Sequence, residues 1–206
     1  MKCRALEEKR SRKVEISNLL PHFISQKENL YSFKNHLNAS QTFQLSKLRN
    51  TMNSIGLDKK KSTKLVAQLN NLLADYMMFY QNSRGLHWNI RGEKFFELHL
   101  KFEELYTNLL LKVDEVAERI LTLGGTPLHT FDDYAKTASV KSVKNVSKGD
   151  EGVKAILTAF ETILVKQRAL LNLAADAGDE GTNALMSDYI REQEKLVWMY
   201  SAYLNR

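Results

Sequence analysis

The sequence predicts an all-α protein, a four-helix bundle in which one long crossover joins the second helix to the third. Apolar residues recur every three or four positions in four long segments, which is typical of amphipathic helices. Only two prolines occur, and glycines cluster between the segments. The polar residues 124–149 separate the second segment from the third, and no alternating β pattern of comparable length is present.

The first two predicted helices lie on either side of Gly92. Ser62 is the predicted N-cap of the first, over residues 62–90, where leucines and aromatic residues follow the helical period. The second covers residues 93–123 and ends at a Gly-Gly-Thr-Pro sequence. Glycine offers a C-terminal cap there, and proline prevents continuation.

The second half of the chain follows the same period. Residues 124–149 are predicted to be the crossover, in which Thr130 can cap a short helical turn. A third helix is predicted over residues 150–177, ending at Gly178, and Thr182 is the predicted cap of the last helix. A bundle with one long connection is the ferritin-like variant, because an up-down-up-down bundle needs only short loops.

The charge divides the chain into a basic extension and a neutral domain. Residues 1–51 contain ten Lys/Arg against four Asp/Glu, and residues 52–206 contain twenty of each. We expect one ferritin-like domain over residues 52–206. The extension is expected to be disordered, or to reflect a start assigned upstream of Met52. A tail that binds DNA through its basic residues is the alternative.

Composition narrows the function classes. Cys3 is the only cysteine, so an intrachain disulfide and a cysteine-based zinc or iron–sulfur site are excluded. No apolar run reaches the roughly 18 residues of a membrane span. The basic N-terminal residues are not followed by the apolar core of a signal peptide. We expect a cytoplasmic protein without a membrane partner, and nucleoid association is the alternative.

Residues of metal-ligand type form one stripe along the second predicted helix. His99 and Glu103 are four residues apart, as are Asp114 and Glu118, so each pair projects from one face. The step from Glu103 to Asp114 makes three turns plus about 20°, which keeps all four on nearly the same face. Imidazole and carboxylate together suit iron, manganese or zinc. A solvated helix face is the other explanation of this spacing.

The distance along the helix determines how such a site is built. The two pairs lie roughly 16 Å apart, whereas a metal ion binds its ligands at roughly 2 Å, so one chain does not close the site. An antiparallel copy of the helix, related by a two-fold axis, would bring the carboxylates of one chain opposite the histidine of the other. An intrachain di-iron centre is disfavoured, because none of the histidines follows a glutamate at the Glu-x-x-His spacing.

Three segments together carry a specific signature: His87-Trp88-Asn89, then His99, and the run Asp114-Glu115-Val116-Ala117-Glu118-Arg119. At this spacing they closely resemble the Dps family, the DNA-binding proteins from starved cells, within the ferritin-like superfamily. The similarity extends from about Leu65 to Leu204 and leaves out the basic extension.

The resemblance implies a hollow homo-dodecamer assembled from two-fold dimers, with intersubunit di-iron-type ferroxidase sites, two per dimer, at the dimer two-folds. The implied iron ligands are His87, His99 and Glu103 from one subunit, with Asp114 and Glu118 from the other. All of these except Glu103 are also the implied catalytic residues. Family members usually have aspartate where this chain has Glu103, so we expect Glu103 to be the weaker ligand, at the second iron position.

The activity implied by the resemblance is that of an oxidoreductase acting on metal ions. Such a ferroxidase and iron-storage protein oxidises Fe(II), preferably with hydrogen peroxide, sequesters ferric oxide in its shell and protects DNA from oxidative damage. The expected partners are copies of the same chain, Fe(II) and hydrogen peroxide, with DNA left open. A nucleoid-binding structural protein with secondary iron chemistry is the main alternative, and an inert helical scaffold is the third.

Two further features have two explanations each. Trp88 is expected to pack in the bundle core, and the family-based alternative is a tryptophan beside the site that intercepts oxidising equivalents. Asp179, Glu180 and Asp188 would line an acidic pore for iron or form a solvated loop.

Overall fold

The computed structural model describes residue 43, residue 47 and residues 49–205. These residues divide into two units after Asn50, and the fold below is that of the second unit. Its five helices are α1 over Lys59–Asn89, α2 over Phe95–Thr122, α3 over Phe131–Thr137, α4 over Gly149–Ala177 and α5 over Glu180–Tyr203. None of the described helices is both long and apolar enough to cross a bilayer. The predicted character of the basic extension falls almost entirely outside the described residues.

The four long helices pack in pairs around one apolar core. Helix α1 packs along α2, α4 packs along α5, and α1 also contacts α4 and the short α3. The residues of the three-to-four spacing are the ones that are buried, such as Leu69 and Phe79 on α1, Phe102 on α2 and Phe160 on α4. The predicted four-helix bundle with one long crossover is therefore confirmed.

The helix ends agree with the prediction to within three residues, but two predicted caps are wrong. Helix α1 begins before Ser62, because Asp58 is its N-cap and accepts a hydrogen bond from the N–H of Lys61 at 2.9 Å. Helix α5 likewise begins before Thr182, which donates its backbone N–H to the Asp179 carboxylate at 3.0 Å. In both cases an aspartate upstream takes the capping position.

Two other predicted helix ends are confirmed. The hydroxyl of Thr130 caps α3 by accepting the N–H of Asp133 at 3.2 Å. Gly178 ends α4 in the left-handed conformation with φ +67°, which a glycine adopts without a Cβ clash.

Three polar side chains of α1 hold the crossover in place. Asn70 and Asn82 each donate to one crossover carbonyl and accept from one crossover N–H. Asp75 is fully buried, and its Oδ1 accepts two consecutive crossover N–H groups at 2.6 and 2.9 Å. Its Oδ2 lies 2.5 Å from Nζ of Lys166 on α4. Because these bonds satisfy backbone groups of an irregular segment, the surface of α1 sets the path of the crossover.

We expect Asp75→Ala to lower the free energy of unfolding by about 3 kcal/mol, because the buried N–H of Val140, the N–H of Ser139 and the Lys166 cation lose their partner. Denaturant unfolding at a fixed protein concentration measures the change. Asp188→Ala is the matched control, since Asp188 pairs with Arg191 on the exposed surface, and it should change stability little. Equal losses in the two variants would contradict this role of Asp75.

Candidate metal centre

His87 and His99 come together where the chain reverses between α1 and α2. His87 lies in the last turn of α1, and His99 lies near the start of α2. Their rings stack with centroids 3.7 Å apart and 19° between the planes. Nδ1–H of His87 donates to the carbonyl oxygen of His99 at 2.8 Å, and Nδ1–H of His99 donates to that of His87 at 2.9 Å. We refer to these two residues as the histidine pair.

The reciprocal hydrogen bonds assign the tautomer of both rings. A carbonyl oxygen only accepts, so each Nδ1 carries a proton, and in the neutral ring Nε2 is the nitrogen that carries the lone pair. A histidine held through one ring N–H, with its other nitrogen free, is the usual state of a metal ligand. The histidine pair therefore offers two nitrogen donors, one from a buried ring and one from a half-buried ring.

Aromatic side chains enclose the histidine pair. Phe95 stacks on His99 with centroids 5.0 Å apart, and Tyr106 packs edge-on against His87 at 5.4 Å. The Tyr106 hydroxyl donates to Oε1 of Glu103 at 3.4 Å. Desolvation, reinforced by the Glu103 carboxylate, raises the pKa of Tyr106, so the phenol stays protonated and remains a donor. Glu103 is thus the third candidate ligand here. We refer to the histidine pair together with Glu103 as the histidine side.

Asp114 and Glu118 form an acidic pair further along α2. Both are exposed, and neither side chain makes a hydrogen bond or ion pair within residues 51–205. Helix α2 is continuous between Glu103 and Asp114, so the acidic pair lies roughly 16 Å from the histidine side. In the described part of a single chain, no three His, Cys, Asp or Glu side chains gather closely enough to hold a metal ion. Of the predicted site residues, the structure therefore brings together His87 and His99 on one chain. Glu103 lies one turn further along α2, and the acidic pair is remote from all three.

Two neighbours of the acidic pair anchor α2 to α5. Glu115 accepts a hydrogen bond from the hydroxyl of Tyr189, and burial raises the pKa of Tyr189 well above its usual range. Arg119 donates to Oγ1 of Thr182 at 2.9 Å and forms an ion pair with the buried Asp179. These contacts fix the rotation of α2 about its own axis, and the acidic pair consequently points away from the bundle.

The centre of the bundle holds neutral polar groups. The hydroxyl of Tyr76 on α1 accepts hydrogen bonds from the amides of Gln167 on α4 and Gln193 on α5, both at 2.6 Å, and all three residues are buried. The buried cation of Lys112 lies 4.4 Å from the ring centre of Tyr189, which packs against Tyr76. Amides, a phenol and a nearby cation form a poor donor set for Fe(II).

Two sequence expectations near these groups are wrong. Trp88 does not pack in the core of the chain, because 59% of its surface is exposed, and the guanidinium of Arg84 lies 4.8 Å from its ring centre. Asp179 does not belong to a solvated loop, since it is buried and bound by Arg119. The acidic pore stays a prediction.

Comparisons with known proteins agree with this architecture. A protein-family model, the ferritin-like domain, matches residues 66–206. The chain is 42% identical over 151 residues to the DNA protection during starvation protein of Porphyromonas gingivalis, covering 73% of this chain and 95% of that protein. It is 35% identical over 142 residues to DNA protection during starvation protein 2 of Bacillus anthracis, covering 69% and 97%.

A solved structure extends the agreement to three dimensions. The DPS protein of Vibrio cholerae O1, described as a ferritin-like diiron-carboxylate protein, matches with a TM-score of 0.74 and 56% sequence identity. The match covers 75% of this chain and 97% of that one. The chain belongs to the Dps family of ferritin-like proteins. The resemblance stated from the motifs is thereby confirmed, and Dps membership connects the chain to iron chemistry at the level of the family. The ligand set of this Dps chain stays a prediction.

Sequence analysis missed the residues that hold the candidate ligands of this Dps chain. Tyr106 stands three residues after Glu103 and seven after His99, so helical spacing alone places it on the same face. The contacts that anchor α2 to α5 join residues 60 and 74 positions apart. No local pattern indicates such pairs.

We expect Asp179→Ala to lower the free energy of unfolding by about 3 kcal/mol, against about 1 kcal/mol for Asp58→Ala. Both aspartates cap a helix, but only Asp179 also neutralises the largely buried Arg119. Thermal and denaturant unfolding of both variants, at one protein concentration, distinguishes the contribution of the ion pair to stability from that of the cap. If the two variants lose the same stability, the ion pair does not anchor α2.

Proposed function

We propose that this Dps-family protein is a ferroxidase and iron-storage protein whose site is shared between two chains. It oxidises Fe(II), preferably with hydrogen peroxide, retains the ferric oxide inside a homo-dodecameric shell and protects DNA from oxidative damage. The proposed iron ligands are the histidine pair and Glu103 of one chain, with Asp114 and Glu118 of another. We place the protein in the cytoplasm.

One observation carries this proposal: the rigid helix α2, with His87 of α1 packed beside its start, presents two incomplete sets of ligands. The histidine side offers nitrogen lone pairs that are already oriented, and the acidic pair is exposed without a partner in the described chain. A separation of roughly 16 Å prevents one chain from joining them. An antiparallel second copy of α2 joins them twice, once at each end of the contact.

The surface between the two sets supports such a contact. Leu110 lies on the same stripe of α2, between Glu103 and Asp114, and about half of its surface is exposed. Its neighbour Leu111 is 62% exposed. A two-fold axis that pairs the sets crosses α2 near these leucines, so their burial in the dimer would contribute apolar contact area where α2 meets its copy.

The chemistry follows from the donor set. Neutral imidazole nitrogens and ionised carboxylates bind Fe(II), and the harder carboxylate oxygens favour the Fe(III) product. Two Fe(II) ions, one hydrogen peroxide and two protons give two Fe(III) ions and two water molecules. Because two iron ions supply one electron each, peroxide is reduced fully and no hydroxyl radical is released. Glu103 is the weaker ligand, since its extra methylene gives its carboxylate more freedom than an aspartate has.

Mixed assemblies test the shared site. One variant lacks the histidine pair (His87→Ala/His99→Ala), and the other lacks the acidic pair (Asp114→Ala/Glu118→Ala). Each alone should be inactive in Fe(II) oxidation with stoichiometric peroxide. Co-expressed in equal amounts, they should recover about a quarter of the wild-type rate, because half of the dimers are mixed and each mixed dimer has one intact site of two.

Sizing by light scattering shows whether each variant keeps the assembly of the wild type. A mixed assembly that stays inactive while retaining its size would contradict a site shared between chains. Wild-type activity in either single variant would contradict the ligand assignment itself, and an inert scaffold or a DNA-binding structural protein would then explain the fold better.

A second candidate function, DNA binding, rests on the start of α1. Lys59, Lys60, Lys61 and Lys64 are exposed there, and the first turn contains no acidic residue. Cations at a helix N-terminus oppose the helix dipole, so the dipole does not explain this cluster, although Nζ of Lys61 also donates to the carbonyl oxygen of Asp176 at 2.6 Å. Lysines in such number contact phosphates in proteins that bind nucleic acid without sequence preference.

Replacing these four lysines with glutamine should weaken binding to duplex DNA and lower the slope of log affinity against log salt by about three to four. Gel-shift titrations over a range of salt concentrations give the slope. Four exposed lysines of the crossover region, replaced in the same way, keep the same net charge and serve as the control: Lys136, Lys141, Lys144 and Lys148. If both variants lose equal affinity, total charge and not this cluster governs binding.

A further inference from the structure

Tyr106 contacts two of the proposed ligands but has no part in the function proposed above. It lies one turn after Glu103 on α2, and its hydroxyl donates to Oε1 of Glu103 at 3.4 Å. The edge of its ring packs against His87, with centroids 5.4 Å apart and 81° between the planes. One side chain therefore touches both a nitrogen ligand and a carboxylate ligand.

We infer that Tyr106 is a positioning residue for the second metal position: its hydroxyl holds the Glu103 carboxylate through Oε1 and leaves Oε2 to bind the metal ion. The inference rests on the proposed function, because it assumes that Glu103 is a ligand.

A glutamate at this position needs such a partner. Its side chain has one more rotatable bond than that of an aspartate, and Glu103 is exposed. A mobile carboxylate loses more rotamer freedom on binding a metal ion than a short one does. A hydrogen bond that orients the carboxylate beforehand reduces this loss. Within residues 51–205, Oε2 of Glu103 makes no hydrogen bond or ion pair, so it remains open to a ligand.

Tyr106 is itself held in place. The ring of Tyr80 on α1 packs edge-on against it, with centroids 6.2 Å apart. The hydroxyl of Tyr80 accepts a hydrogen bond from Nη1 of Arg84 at 3.1 Å, and the Arg84 guanidinium lies 5.2 Å from the Tyr80 ring centre. With Tyr80 on one side and His87 on the other, the Tyr106 ring has a defined position. The place of its hydroxyl is therefore set by α1 as much as by α2.

Co²⁺ binding to the full-length assembled protein tests the inference without iron oxidation. Visible absorption of bound Co²⁺ reports the number and the geometry of the sites. Tyr106→Phe keeps the ring and removes only the hydroxyl, and it should weaken Co²⁺ at the second position about tenfold, as losses of partners behind metal ligands commonly do. Glu103→Gln should give a similar loss, and the double variant should lose little more than either single one.

The matched control is Tyr134→Phe, which removes a tyrosine hydroxyl bonded to the Leu128 carbonyl in the crossover, away from the carboxylate, and should leave Co²⁺ binding unchanged. Wild-type Co²⁺ affinity and spectrum in Tyr106→Phe would overturn the inference. Additive losses in the double variant would also overturn it, because the two side chains would then act independently. Unchanged Co²⁺ binding after removal of the histidine pair is a separate result, and it would contradict the proposed function instead.

Discussion

The rigidity of α2 is the constraint on which the candidate site depends. Its 28 residues form one continuous helix, so the distance and angle between any two of its side chains follow from helix geometry alone. The histidine side and the acidic pair share one face but lie too far apart to meet within one chain. Bending α2 enough to bring them together would break its packing against α1 and α5. The separation is therefore a fixed property of the fold.

The two sets of candidate ligands are oriented in different ways. The histidine pair is ordered before any metal arrives, because its rings are stacked, hydrogen-bonded and enclosed by aromatic side chains. The acidic pair is left in water, where two carboxylates one turn apart repel each other. Its direction is set by the neighbouring Glu115 and Arg119, which contact α5 and fix the rotation of α2. A cation between the carboxylates would relieve their repulsion, so the structure favours a positively charged ligand there.

Sequence patterns predicted the fold well because each helix has a strong apolar period and clear glycine and proline breaks. The caps at Ser62 and Thr182 were wrong because an aspartate stands three or four positions upstream in each case and caps the helix there, accepting the N–H of Lys61 or of Thr182. Trp88 was misplaced because helical periodicity does not distinguish the core from a face left open on a single chain. The stripe on α2 was predicted from spacing alone, since helix geometry is local.

The rest of the site was not predictable because it depends on contacts between distant segments. Spacing on α2 gave no role to His87, which meets His99 only because the chain reverses between two helices. The family resemblance supplied that residue. The buried partners of Arg119 and Glu115 lie on α5, and no single-sequence pattern joins them.

The hydrogen-bond acceptors of the histidine pair are backbone carbonyls, not side chains. A side-chain substitution therefore cannot delete either acceptor. The path of the main chain determines the orientation of both rings. The two carbonyl oxygens remain available as acceptors whatever side chains surround them. Drift in the neighbouring sequence can change the size, charge or polarity of the surroundings while these two nitrogen donors keep their direction. A carboxylate acceptor would make each ring more basic, but a single substitution could remove it. The backbone carbonyls make the rings less basic than carboxylates would, and no substitution removes them.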